Sequence, residues 1–186
     1  MTASPSPGKN GLTGLKDFGI FHPMLKIVTL GDDVLRKQAA LIPDIDRKIS
    51  DLAAGMIDAM HAGRGIGLAG PQIGELKRLF VTHVEGDTPR VFINPQIIQT
   101  SQEQNVYEEG CLSIPESFAD VERPYAVTVQ AWNERGRPFT LDAEGILARV
   151  IQHEYDHLNG VLFIDHLDDK KRARLLASYE RRNGKV

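Results

Sequence analysis

An α+β domain is what the sequence predicts, with antiparallel sheets around a central helix that carries an HExxH motif. Three observations lead there. Apolar residues recur at helical spacing before residue 63. Short β-branched and aromatic runs bounded by Pro, Gly or Asp fill the middle of the chain. A second helical stretch, apolar on two flanks, follows them, and a helix apolar on two flanks is buried. The order helix, strands, helix, helix is that of an α+β domain.

In chain order, Ile49, Leu52, Ala53, Met56, Ile57 and Met60 mark the first helix, with Pro43-Asp44 as a start signal and Gly63 as a stop. A glycine-rich loop, GRGIGLAGPQIG, occupies 63 to 74. The strands expected next are RLFVTHV, RVFINP and YAVTVQAW, and NERGRP reads as a hairpin turn. Asp142 is the expected N-cap of a helix from about Ala143 to Asn159, closed by Gly160. On that helix Ile146, Val150, His153 and His157 form one stripe and Leu147, Ile151 and Leu158 another. The basic stretch KKRARLLASYERRNGKV is interleaved with Leu175, Leu176 and Tyr179, which predicts an amphipathic surface helix.

The chain has 186 residues, 41% of them hydrophobic and 25% charged, which suits one domain with a proper core. A net charge of −3 provides no global basic field, so neither direct reading of nucleic acid nor attraction to anionic membrane is expected. No run approaches the roughly 18 apolar residues of a membrane span. The first 23 residues contain no signal-type apolar core and no arginine, which argues against secretion and mitochondrial import. Residues 1–23 are expected to be a flexible N-terminal extension or a cloning remnant, and 24–186 a single domain. One cysteine, Cys111, excludes an intramolecular disulfide and fits a reducing compartment, so a cytoplasmic protein is expected.

The chemistry concentrates in VIQHEYDHLNG, residues 150 to 160. Four residues along a helix return a side chain to the same face, so His153 and His157 can grip one metal ion. Glu154 falls where a general base beside that metal is needed. Two hydrogen-bonded core histidines are the bland alternative, but burying both without a shared partner would be costly. Cys111, within EGCLS (109 to 113), is the candidate third ligand; its bland role is that of a small buried hydrophobe. A thiolate and two imidazoles suit a divalent transition metal and leave one position open for water. The remaining histidines, His22, His61, His83 and His166, lie in no ligand spacing and read as surface or structural. Arg149 is expected to point toward a pocket mouth or solvent, and Asp156 to form a buried ion pair with Arg123.

Three motifs in order, GIGLAGPQ (65 to 72), EGCLS (109 to 113) and QHEYDH (152 to 157), resemble those of the peptide deformylases, and the similarity runs from about Met24 to the C-terminal helix. The resemblance implies that Cys111, His153 and His157 are metal ligands and Glu154 the catalytic acid/base. It implies that the side-chain amide of Gln72 and the backbone N–H of Leu112 are donors to the oxyanion. Gly65, Gly67 and Gly110 are expected to let an extended peptide pair closely with the backbone. Ile66, Ile146 and Val150 are candidates for the methionine side-chain pocket. The implied reaction removes the formyl group from the N-terminal methionine of newly made polypeptides at the ribosome, releasing formate. The implied cofactor is one divalent ion, Fe2+ in the cell, with Zn2+, Ni2+ or Co2+ able to substitute. Two departures stand out. Gly70 replaces the usual alanine of the first motif, adding backbone freedom, and Phe118 stands where many bacterial members carry a substrate-contacting arginine. Two rivals remain open at this point: another HExxH amidase or peptidase, and a structural zinc module.

Overall fold

The computed structural model describes residues 25–184. The expectation for residues 1–23, with His22, lies outside them. Three helices, α1 (Arg47–Ala62), α2 (Gly145–His157) and α3 (Asp169–Asn183), accompany seven strands, β1 (Gly67–Ala69), β2 (Leu79–Thr82), β3 (Arg90–Thr100), β4 (Gln104–Cys111), β5 (Ile114–Pro124), β6 (Ala126–Trp132) and β7 (Pro138–Glu144). One sheet has the order β1-β2-β3-β6-β7; β4 and β5 form a separate hairpin, and every pairing between named strands is antiparallel. The α+β prediction holds.

Helix α1 forms where the periodicity placed it, but it starts at Asp46, not at Pro43-Asp44. The Asp46 carboxylate accepts from the Ile49 N–H at 3.0 Å, satisfying an orphan donor of the first turn. Its buried face, Ile49, Ala53, Met56 and Met60, packs on Leu68, Leu79, Val81 and Ile93 of the large sheet. The larger of these side chains, Ile49, Met56 and Met60, each contribute roughly 1.5–3 kcal/mol on removal from water.

Helix α2 begins later than its sequence suggests. Asp142 is not its cap; it lies in β7 opposite Thr128, whose hydroxyl donates to the Asp142 carboxylate at 2.6 Å. Cross-strand pairing outcompetes the cap at that position, and the helix starts at Gly145, whose φ of 57° turns the chain out of the strand. One flank of α2, Ala148, Ile151 and Leu158, packs with Phe80, Phe92, Val127 and Val129 of the large sheet. The other flank faces the β4–β5 hairpin, so the helix lies between the two sheets.

Strands β4, β5 and β7 were not named individually from sequence. The hairpin is amphipathic only in part: β4 reads QNVYEEGC and exposes Val106 and Tyr107. It is held by the third core cluster, in which Ile114 and Val121 meet Leu162, Phe163, Ile164 and Tyr179. Tyr179 comes from α3, which is the amphipathic helix expected at the C-terminus.

Candidate active site and metal centre

A break in the hairpin register sets up the site. Pairing runs regularly from Gln104↔Pro124 to Gly110↔Phe118 and then jumps to Cys111↔Ile114, with Glu116 at φ 55° on the looped-out side. Such a bulge re-aims the side chain beside it. Cys111 is brought to α2, where its Sγ lies 3.3 Å from His157 Nε2. The ligand atoms of Cys111, His153 and His157 lie within 4.8 Å of one another, and this is the one such group of three among the described residues. The expected triplet is therefore assembled from two elements, His153 standing 42 residues beyond Cys111 in the chain.

The donor chemistry suits a cation. His153 Nδ1 is 2.9 Å from Glu109 Oε2 and donates to it, which leaves Nε2 for the cluster. Burial lowers the pKa of His157 well below its ordinary value, with the charge on His153 adding to the effect, so this ring is neutral. Burial opposes charge on His153 too, but Cys111 and Glu109 beside it prevail and raise its pKa well above the ordinary value. A sulfur and two imidazole nitrogens this close form a donor set that a divalent ion would fit. His157 Nδ1 and Glu154 Oε2 are buried without a hydrogen-bond partner, a cost that a purely structural histidine pair would not explain.

Glu154 follows His153 on α2 and is 3% exposed, with its carboxyl against the Cα of Gly67. Any side chain at residue 67 would strike that carboxyl and approach Val150 Cγ1 at 2.8 Å, so glycine is required there for contact, not for freedom. Burial raises the Glu154 pKa to about 7, the positive charge of His153 opposing the shift. Gln72 is held at both ends of its amide. Its Oε1 accepts from the Ala69 N–H at 2.7 Å, and its Nε2 donates toward Cys111 Sγ at 3.4 Å and Ser113 Oγ at 3.3 Å.

One cavity of about 510 Å³ joins these groups. Gln72, Cys111, Leu112, His153 and Glu154 line it, as do Gly65, Ile66, Gly67, Gly110, Ile146 and Val150. Every candidate side chain but one is thus brought together in a single cleft; His157 sits just beneath, 1% exposed. Phe118 lies at the rim, 63% exposed, with its ring packed over Gly110. Gly70 has a packing reason that the motif hid. A Cβ there would lie 2.6 Å from the Lys77 carbonyl oxygen and 2.8 Å from that of Glu75.

Arg149 departs from expectation. It lines the cleft, as one half of the expectation had it, but not as a solvated charge; it is 4% exposed and bound to Glu109 Oε1 at 2.7 Å and to the Val121 carbonyl at 3.0 Å. Arg123 also grips Glu109, at 2.6 and 3.1 Å, and reaches Asp156 at 2.8 Å as expected. Glu109, whose role went unread in the sequence, is therefore the hub. Burial opposes its charge, but the hydrogen bonds from His153 and Arg123 outweigh this and hold it well below the usual carboxylate range. Its signal in the sequence is an acid two residues before the cysteine; the spacing pairs Arg123 with Asp156 alone and gives Arg149 no buried partner. Ser113, fully buried beside Gln72, was missed as well.

Comparisons with known proteins agree with this geometry. Residues 24–173 match the family model of polypeptide deformylase. The peptide deformylase of Treponema pallidum (strain Nichols) is 44% identical over 162 residues, covering 87% of this chain and 99% of that protein. That of Agrobacterium fabrum is 47% identical over 157 residues, covering 82% and 92%. Among solved structures, a Synechococcus elongatus peptide deformylase in complex with actinonin superposes with a TM-score of 0.81 at 43% identity, covering 84% of this chain and 88% of that one. The Legionella pneumophila enzyme gives 0.80 at 38% identity, covering 88% and 99%. With motifs, fold and near full-length similarity in accord, the chain belongs to the polypeptide deformylase family.

Proposed function

We propose that Cys111, His153 and His157 hold one divalent metal ion, that Glu154 moves the proton, and that Gln72 and the Leu112 N–H receive the developing oxyanion. Family membership makes the chain a hydrolase that removes the N-formyl group from new polypeptides, in a metal-dependent family. The observation that carries the residue assignment is the buried, unpartnered carboxyl of Glu154 beside the three clustered ligand atoms, at the base of one cleft.

A divalent cation held there would polarise the formyl carbonyl and lower the pKa of water toward neutrality. Glu154, raised to about 7 by burial, accepts a proton from the attacking water and delivers it to the leaving amine. The amide of Gln72, pinned by the Ala69 N–H, presents Nε2 toward the cleft and supplies a donor worth about 3 kcal/mol at the transition state. Glu109 keeps the proton of His153 on Nδ1. Ile66, Ile146 and Val150 supply the apolar wall for methionine, and the backbone of Gly65, Gly67 and Gly110 lines the cleft beside them, the space of a side chain at each being filled by Leu112, Glu154 and Phe118 respectively.

Ferrous iron is the ion we assign in the cell; zinc, nickel and cobalt suit the same donors. The substrate is an N-formylmethionyl polypeptide met at the ribosome, in the cytoplasm. Among the described residues no helix is long and apolar enough to cross a membrane. The structural zinc alternative lacks a fourth protein ligand among the described residues. Metal analysis of protein purified without air, paired with formate release from formyl-Met peptides, tests the assignment. Formate release with no cleavage of internal peptide bonds is expected; cleavage of internal bonds would assign a peptidase instead.

A further inference from the structure

Two histidines that the sequence keeps 22 residues apart meet on the surface. His61 lies in the last turn of α1 and His83 directly follows β2, and His61 Nε2 is 2.8 Å from His83 Nδ1. The other nitrogen of His83, Nε2, lies 3.2 Å from the carbonyl oxygen of Asp87. A carbonyl only accepts, so His83 carries its proton on Nε2 and turns the lone pair of Nδ1 toward His61. A ring held from behind through its far N–H, with its near nitrogen free to donate a lone pair, is how proteins orient a metal-ligating histidine. The spacing 61/83 signals nothing in sequence; the packing of α1 on β2 creates the pair.

We propose that His61 Nε2 and His83 Nδ1 form a second cation site, separate from the Cys111–His153–His157 centre. It takes a divalent transition metal with a preference for imidazole, such as nickel or zinc, completed by water. Each ring has the freedom its role needs. His83 is fixed, since its ring is tied to Asp87 and its backbone N–H donates to the Ile66 carbonyl at 2.9 Å. His61 is exposed and can turn. Two imidazoles on one tetrahedral ion stand about 3.3 Å apart, so the rings need open by only about half an ångström. His61 must also carry its proton on Nδ1, a change of tautomer that exchange with water allows at an exposed ring. The Asp87 carboxylate does not compete, being engaged by Arg90 at 2.6 and 2.7 Å. A bound ion would clasp the end of α1 to the end of β2 across the segment that carries Gly65, Ile66 and Gly67 to the cleft. With two protein ligands the ion is exchangeable and weaker than the one at the cysteine centre.

The test is equilibrium dialysis of the nickel-loaded full chain against rising nickel, with bound metal counted by elemental analysis. Wild type should bind one more equivalent than His61→Ala or His83→Ala. Both variants should keep the tightly held equivalent and release formate at the wild-type rate. Equal nickel content in wild type and both variants would overturn the proposal and leave the pair as a hydrogen bond only. So would an extra equivalent that persists in both variants, which would place it on other groups.

Discussion

At the scale of single residues, the proposed roles divide between holding the ion and moving the proton. Glu154 sits beside the ligands without being counted among them, so Glu154→Ala should fold, retain metal and lose roughly 10²–10⁴-fold in kcat. His157→Ala should instead lose the metal itself. Elemental analysis of both variants separates the roles, and equal metal loss in the two would make Glu154 a ligand. In the proposed mechanism Gln72 contributes a donor whose bond strengthens as charge develops on the formyl oxygen. Gln72→Ala should therefore depress kcat more than it raises KM, and a pure KM effect would make the residue a substrate anchor.

At the scale of elements, α2 and the β4–β5 hairpin are joined through one carboxylate. Glu109 receives Arg123, Arg149 and His153, all buried. Removing it leaves two guanidinium groups short of their counter-charge, so Glu109→Ala should cost about 3–5 kcal/mol. For a domain of this size that is a fall of roughly 10 °C in Tm, read by calorimetry. The same carboxylate sets an acid limb. Its folded pKa lies below the ordinary value of 4.5, so its contribution is complete above that pH and is lost as pH falls toward the folded value. Wild type should thus lose stability between roughly pH 5 and pH 3 more steeply than Glu109→Gln, which has no such proton to bind. Parallel slopes in urea melts would show that Glu109 is already protonated when folded.

At the scale of the whole molecule, the proposed metal ligands come from both sides of the seam between hairpin and helix. An ion bound to Cys111, His153 and His157 cross-links them, and anything that binds only the folded state stabilises it by mass action. Chelation should lower Tm and increase hydrogen exchange first in β4 and β5; uniform loosening would place the stabilisation elsewhere. The family match begins at residue 24 and every residue of the site lies beyond it. We expect a chain lacking residues 1–20 to keep both its rate of formate release and its Tm. A large fall in Tm would mean that this segment packs on the domain.

Much of the site was legible because chemistry written in local spacing survives folding. His153, Glu154 and His157 are set by one helical turn, and helix α1 by an unbroken apolar period. The ordered motifs added Cys111 and Gln72 by resemblance. Local preference failed where a partner distant in the chain outcompeted it. Asp142 had the chemistry of a cap, yet Thr128 on a neighbouring strand claimed it. Arg149 looked solvated, yet the Glu109 carboxylate 40 residues away holds it in the interior. Gly70 looked like added freedom, yet the carbonyls of Glu75 and Lys77 fill the space of a side chain. The sequence by itself determined the fold class and the helix that carries His153, Glu154 and His157, and its resemblance to a family implied the reaction. The tertiary structure alone decided the charge network beneath His153 and the meeting of His61 with His83, because ion pairs and ring contacts depend on distances in space that no periodicity records.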